Sequence, residues 1–206
     1  TKKSLLDFMK ERIFNHIGSF KTAQVLKMGN GDSWGDSAMI CTARDMATFG
    51  RFVLNYGTWN GKRLMSEEYL KEATSPLVDN SLSNHPSKQH SFGYGYQIWR
   101  VGEDCFAFIG MGCQLTICNT KNDIIFVCNS DNQGSGYNYD AIINLLQTYI
   151  FDTVVDEVLP INEKTNAELD AFISNLKLRS VRGKKYHPLV DKINGKKFIS
   201  IDKNPQ

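Results

Sequence analysis

The chain has 206 residues, a net charge of +2, 41% hydrophobic and 22% charged residues, which is the composition of one ordinary globular domain or one domain with an appendage. It holds no apolar run of about 18 residues, so no transmembrane segment is expected. From Lys177 to Lys203 it carries nine Lys or Arg against two Asp or Glu; aromatic residues do not interleave those charges in a base-stacking pattern, so this stretch reads as a solvated basic appendage and no nucleic-acid partner is expected.

Thr1 to Ser4 run straight into an amphipathic pattern with no apolar core of a secretory signal. Ser4-Leu5-Leu6-Asp7 has the form of a capping box. Leu5, Phe8, Met9, Ile13 and Ile17 then recur at helical spacing, and Gly18 stops the helix. Residues Ser19 to Asp36, rich in Gly, Ser and Asn, read as loop. Thr42-Ala43-Arg44-Asp45 repeats the capping signal ahead of an apolar stripe of Met46, Phe49, Phe52 and Val53, closed by Gly57. Asn60-Gly61 predicts a tight turn, and Ser66 caps a helix over Glu67 to Ala73.

The pattern then changes from helical to extended. Gly93 to Trp99 is aromatic and reads as a strand. Three more follow at Cys105–Phe108, Gln114–Cys118 and Ile124–Cys128, joined by short turns, which predicts an antiparallel meander. Asp140 to Val158 reads as one long helix, with Ile143, Leu146, Ile150 and Val154 on the face that packs across the sheet. After Pro160, Thr165 caps a predicted helix over Asn166 to Leu178, and Lys196 to Ile201 is strand-like. These periods give an α+β fold, an antiparallel meander with a long helix packed across it. The expected division is 1–159 for that body, with helices over 1–90 and the sheet with its packing helix over 91–159, and 160–206 for the basic extension.

The five cysteines, Cys41, Cys105, Cys113, Cys118 and Cys128, are odd in number and contain no C-x-x-C pair. Free thiols are expected and a zinc site is not, although a Cys105–Cys113 bridge is conceivable from strand geometry.

Several words stand in a definite order along the chain: Glu11-Arg12-Ile13-Phe14 leading to Ile17-Gly18, Thr42-Ala43-Arg44-Asp45-Met46-Ala47-Thr48-Phe49-Gly50, Asn60-Gly61-Lys62-Arg63-Leu64-Met65-Ser66, Tyr94-Gly95-Tyr96, and Gly110-Met111-Gly112-Cys113-Gln114. Together, from Ser4 to Val158, they resemble the second half of the serine β-lactamase, penicillin-binding-protein and DD-peptidase family, in the branch resembling class C β-lactamases and their esterase relatives. The resemblance implies an antiparallel sheet flanked by helices with part of a helical subdomain facing it, and acyl transfer as the chemistry. A serine of an S-x-x-K motif attacks a carbonyl, helped by its lysine and by the tyrosine of Y-x-N. A strand bearing K-T-G or H-x-G supplies an oxyanion-hole N–H just after its glycine. No cofactor is implied.

The departures matter as much. Y-x-N does not occur. S-x-x-K occurs as Ser174–Lys177 and Ser200–Lys203, both after the whole fold, so no catalytic residue is expected in this chain. Ser130-Asp131-Asn132 spells a class A motif but follows a strand and reads as a turn. The third motif is expected at Phe108-Ile109-Gly110, with the Met111 N–H as oxyanion donor; a shifted alignment uses Met111-Gly112-Cys113. Either way the motif's Lys or His is missing. Gly110 and Gly112 are expected to let a substrate approach the strand closely, with Tyr94 and Tyr96 as further cleft candidates. His16, His85, His90, His187, Asp36, Ser37 and Cys113 carry weaker claims, and Asp45 reads as a helix cap.

The expected function is therefore part of a serine hydrolase acting on a small amide, ester or peptide, inactive without a nucleophile supplied by a missing N-terminal part. The alternative is a non-catalytic relative that binds a peptide or peptidoglycan fragment. An unpaired sheet edge predicts self-association. Location, in the cell envelope or the cytoplasm, is left open.

Overall fold

A computed structural model describes residues 2–35, 37–82, 91–132, 139–177 and 183–199. The chain divides into two compact units, Thr1–Asp156 and Glu157–Gln206.

The first unit opens with α1 (Leu5–Met9), capped by the Ser4 hydroxyl, which accepts from Asp7 N. It continues into a π-helical stretch, Lys10–Phe14. There Asn15 N donates to Lys10 O and Ser19 N to Phe14 O, an extra residue per turn that brings Phe14 into the core beside Ile13 and Ile17. The loop expected over Ser19 to Asp36 is partly ordered: β1 (Gln24–Val25) pairs antiparallel with β2 (Met39–Ile40), and Lys27 bridges Ser33.

Helix α2 (Ala43–Leu54) begins at a full capping box between Thr42 and Asp45. A hairpin of β3 (Thr58–Trp59) and β4 (Lys62–Arg63) follows. Asn60 and Gly61 both have positive φ, +47° and +77°, as a two-residue hairpin turn requires. Ser66 caps α3 (Glu67–Ala73) as the sequence predicts.

The sheet consists of β5 (Trp99–Gly102), β6 (Cys105–Ile109), β7 (Leu115–Asn119) and β8 (Ile124–Cys128), antiparallel in that spatial order. Its first strand is shorter than expected. Gly95 N donates to Ile98 O at 2.8 Å and Gln97 has φ +57°, so the chain turns at 95–98 and only Trp99 onward joins the ladder. A Cβ on Gly95 would lie 2.0 Å from Ala73 O, which explains the glycine: this segment presses directly on the end of α3.

Side chains alternate across the sheet. Phe106, Phe108 and Cys118 face one core, with Ile13, Phe14, Phe20, Phe52 and Val53. Cys105, Ala107, Leu115 and Ile117 face a second core, with Tyr139, Ile143 and Leu146. Those last three lie on α4 (Tyr139–Tyr149), so the sheet is flanked by α2 and α4. All five cysteines are free, so the Cys105–Cys113 bridge does not form. Burial pushes the Cys105 and Cys118 thiols up to about 11 and about 12, leaving them as small core residues.

Helix α4 is also shorter than expected, giving way to a 3-10 turn at Phe151–Thr153. The Thr153 hydroxyl donates to Tyr149 O and Ile150 O, and Asn122 Nδ2 donates to Phe151 O. The carbonyls that a longer helix would use are thus taken by side chains.

In the second unit, α5 (Glu163–Ser174) is capped by Asn162, whose Oδ1 accepts from Thr165 N; the helix starts earlier than the predicted Thr165 cap. A short helix, α6 (Leu189–Ile193), follows. Residues 196–199 form no strand and are exposed; Ser200 and Ile201 lie outside the described residues.

Candidate active-site strand and turn

The end of β6 runs into a tight turn, Gly110 to Gln114. Gly110 N donates to Gln114 O at 2.8 Å, and Cys113 N donates back to Gly110 O at 3.0 Å. Cys113 sits at φ +62° and is fully buried. Strands β6 and β7 meet here, because Ile109 is opposite Leu115.

Two side chains and one backbone N–H from outside the turn hold it. The Tyr139 hydroxyl lies 3.1 Å from Gly110 O and 2.9 Å from Met111 O. The Ser130 hydroxyl lies 3.0 Å from Gly112 O and 2.6 Å from Cys113 O. Asn132 N donates to Gly112 O at 3.1 Å. The side chain of Gln114 itself folds back over the turn. Its Oε1 accepts from Gly112 N at 3.1 Å, and its Nε2 donates to Ser130 O. Every carbonyl from Gly110 to Cys113 is therefore engaged, as are the N–H groups of Gly110, Gly112 and Cys113. The Met111 and Gln114 N–H groups have no partner among the described residues, and Met111 is 65% exposed.

This geometry changes the expected role of the two glycines. A Cβ on Gly110 would lie 2.4 Å from Gln114 Oε1, and one on Gly112 would lie 2.6 Å from Gln114 Nε2. The space above them is occupied by the Gln114 amide. They are needed for that side chain to cross the turn.

Phe108, expected at the place of the motif's missing cation, packs into the first core. Its ring centroid is 5.5 Å from that of Phe49 and 6.1 Å from that of Phe106. Ile109 faces the second core. Tyr94 bridges Val78 and Trp99 and sets its ring 4.6 Å from that of Trp99. The Tyr96 hydroxyl donates to Glu72 Oε1 at 2.8 Å, and its ring lies 5.7 Å from that of Tyr69 on α3; this bond to the carboxylate raises its pKa. Neither tyrosine bonds to the Gly110–Gln114 turn.

The remaining candidates separate cleanly. Ser130 is a turn residue whose hydroxyl is committed to two carbonyls, as the strand-then-turn reading predicts. Ser174 is the last residue of α5, and Asn175 caps the helix, so Lys177 does not follow it on a helical turn. Cys113 is too buried to act as a nucleophile. His16 and His187 are exposed, and His187 Nδ1 accepts from Leu189 N at 3.1 Å. Ser37 is exposed. Asp36, His85, His90, Ser200 and Lys203 lie outside the described residues. No group of His, Cys, Asp or Glu suited to a metal occurs among the described residues, and no described helix is long and apolar enough to cross a membrane.

Sequence reasoning passed over Gln114 and Tyr139. Gln114 stands in the Gly110–Gln114 word, but nothing in its spacing reveals that its side chain turns back. Tyr139 begins a helix 25 residues further on, and only the folded chain brings its hydroxyl to the turn.

No protein-family model matches this chain, and no curated protein matches it. Among solved structures, a Bacillus anthracis protein named as a 6-aminohexanoate-dimer hydrolase matches 71% of the chain with a TM-score of 0.57 and 26% identity. The chain spans 39% of that protein's length. A Bacteroides dorei DSM 17855 protein named as a beta-lactamase matches 64% of it with a TM-score of 0.44 and 15% identity. The chain is α+β, and over 71% of its length its fold is similar to part of that Bacillus anthracis protein.

Proposed function

We propose that this chain forms one wall of the active site of a longer serine hydrolase that cleaves a small amide, ester or peptide through an acyl-enzyme. The observation that carries this reading is the Met111 N–H, exposed and without a partner among the described residues, in a turn whose carbonyls from Gly110 to Cys113 are all engaged. The likeness to a structure named for hydrolysis of a 6-aminohexanoate dimer supports it.

In this scheme a serine hydroxyl from residues outside the chain attacks the substrate carbonyl carbon, and its proton passes to a base beside it. The carbonyl oxygen gains negative charge and accepts a hydrogen bond from the Met111 N–H. The amine or alcohol leaves with a proton, and water then releases the acid from the serine ester. Phe108 bears on the substrate class. A packed aromatic ring offers nothing to a carboxylate, so no substrate carboxylate is held at this position as a Lys or His would hold it.

The same residue favours one alternative, a non-catalytic relative that binds peptide or peptidoglycan fragments in the cleft. Labelling with a fluorophosphonate and a fluorescent penicillin separates the two. The longer protein should react with the fluorophosphonate and only weakly with the penicillin, while this chain alone should react with neither. A longer protein that reacts with neither reagent overturns the hydrolase reading in favour of the binder. Labelling of this chain itself overturns the placement of the nucleophile.

A further inference from the structure

The turn after β6 has every carbonyl from Gly110 to Cys113 engaged, and the N–H groups of Gly110, Gly112 and Cys113 as well, while the Met111 N–H is left exposed without a partner among the described residues. That pattern calls for a cause, since a surface turn is ordinarily satisfied by water. Its side-chain restraints come from three different places in the chain: Gln114 just before β7, Ser130 after β8, and Tyr139 at the start of α4. They are also arranged in series. Gln114 grips Gly112 N with one end of its amide and Ser130 O with the other, Ser130 holds Gly112 O and Cys113 O, and Tyr139 holds Gly110 O and Met111 O.

We infer that Gln114 and Tyr139 are positioning residues for the reaction, fixing the Met111 peptide plane so that its N–H is held at the angle a developing oxyanion needs. The inference rests on the hydrolase reading above. A carbonyl oxygen fixed by the Tyr139 hydroxyl sets the orientation of the peptide plane that follows it. Gly110 O belongs to the plane that carries Met111 N–H, and Met111 O belongs to the next plane, so one phenol clamps the donor from both sides. Gln114 fixes the far side of the same turn through Gly112 N. A preorganised donor acts without reorganising during the reaction, and a loose one loses much of its effect.

The test is steady-state hydrolysis of a p-nitrophenyl ester by the longer protein that carries this chain, comparing wild type with Tyr139→Phe and Gln114→Ala. Each variant should lower kcat by about 10- to 100-fold while KM changes by less than about threefold. In this chain alone, the Met111 amide resonance should shift in both variants while resonances of α2 stay in place. Tyr139→Phe keeps the ring in the core and removes only the hydroxyl, so it decides the matter if Gln114→Ala fails to fold. A wild type that turns over the ester, with both folded variants keeping its kcat, overturns the inference and leaves the hydrolase reading intact. A wild type that hydrolyses no amide or ester removes that reading and the inference with it.

Discussion

At the scale of single residues, Asp45 is the clearest case of a side chain that does more than its sequence motif announces. The motif predicts a helix cap, and Asp45 Oδ2 does accept from Thr42 N at 3.0 Å and from Thr42 Oγ1 at 2.7 Å. Its other oxygen, Oδ1, accepts from Ser19 Oγ and from Phe20 N, both at 2.6 Å. Burial raises its pKa, but the bonds from Ser19, Thr42 and Phe20 outweigh that and hold it down at about 2, against an ordinary 3.8. A folded pKa below the unfolded one means that the unfolded chain binds more protons between these values. The stabilisation is therefore fully present above about pH 4 and disappears as the pH falls towards 2; urea titrations across that window should show stability falling with pH, and the fall should be smaller in Asp45→Asn. Replacing Asp45 by Ala strands two backbone donors and the Ser19 hydroxyl, with an expected loss of about 2–4 kcal/mol in the same measurement.

At the scale of elements, α2 meets the sheet through Gly50. A Cβ there would stand 3.1 Å from Thr116 Cγ2, 3.2 Å from Cys118 Sγ and 3.3 Å from Ile125 Cγ2. Gly50→Val should push the helix off β7 and β8 and cost about 1–3 kcal/mol by chemical denaturation, despite removing a glycine from a helix. The Arg51–Asp123 ion pair ties α2 to the turn between β7 and β8 alongside this contact. The starts of α1, α2 and α3 and the Asn60-Gly61 turn were legible in the sequence, because a cap or tight turn is written in three or four adjacent residues. The three sheet strands from Cys105 onward were legible as apolar runs between turn residues. The late start of β5, the early end of α4 and the hold on the Gly110–Gln114 turn were not. Each depends on a partner far along the chain: Ala73 against Gly95, Asn122 against Phe151, Tyr139 against Gly110.

For the whole molecule, the sheet order leaves β8 with β7 as its one strand partner among the described residues. We expect the chain to self-associate through that edge. Sedimentation velocity should reveal a species that grows with concentration and shrinks when Val127 is replaced by Lys; a strictly monomeric wild type over a wide concentration range would count against it. The Asp45 knot also has a temporal meaning. Its bond to Thr42 spans three residues, whereas its bonds to Ser19 and Phe20 close loops of 26 and 25. The cap can form as soon as α2 does, but the longer links must wait for the intervening chain to come round. Removing the carboxylate should then hasten unfolding far more than it slows folding, so that Asp45 acts less as a seed of this fold than as the latch that keeps it closed.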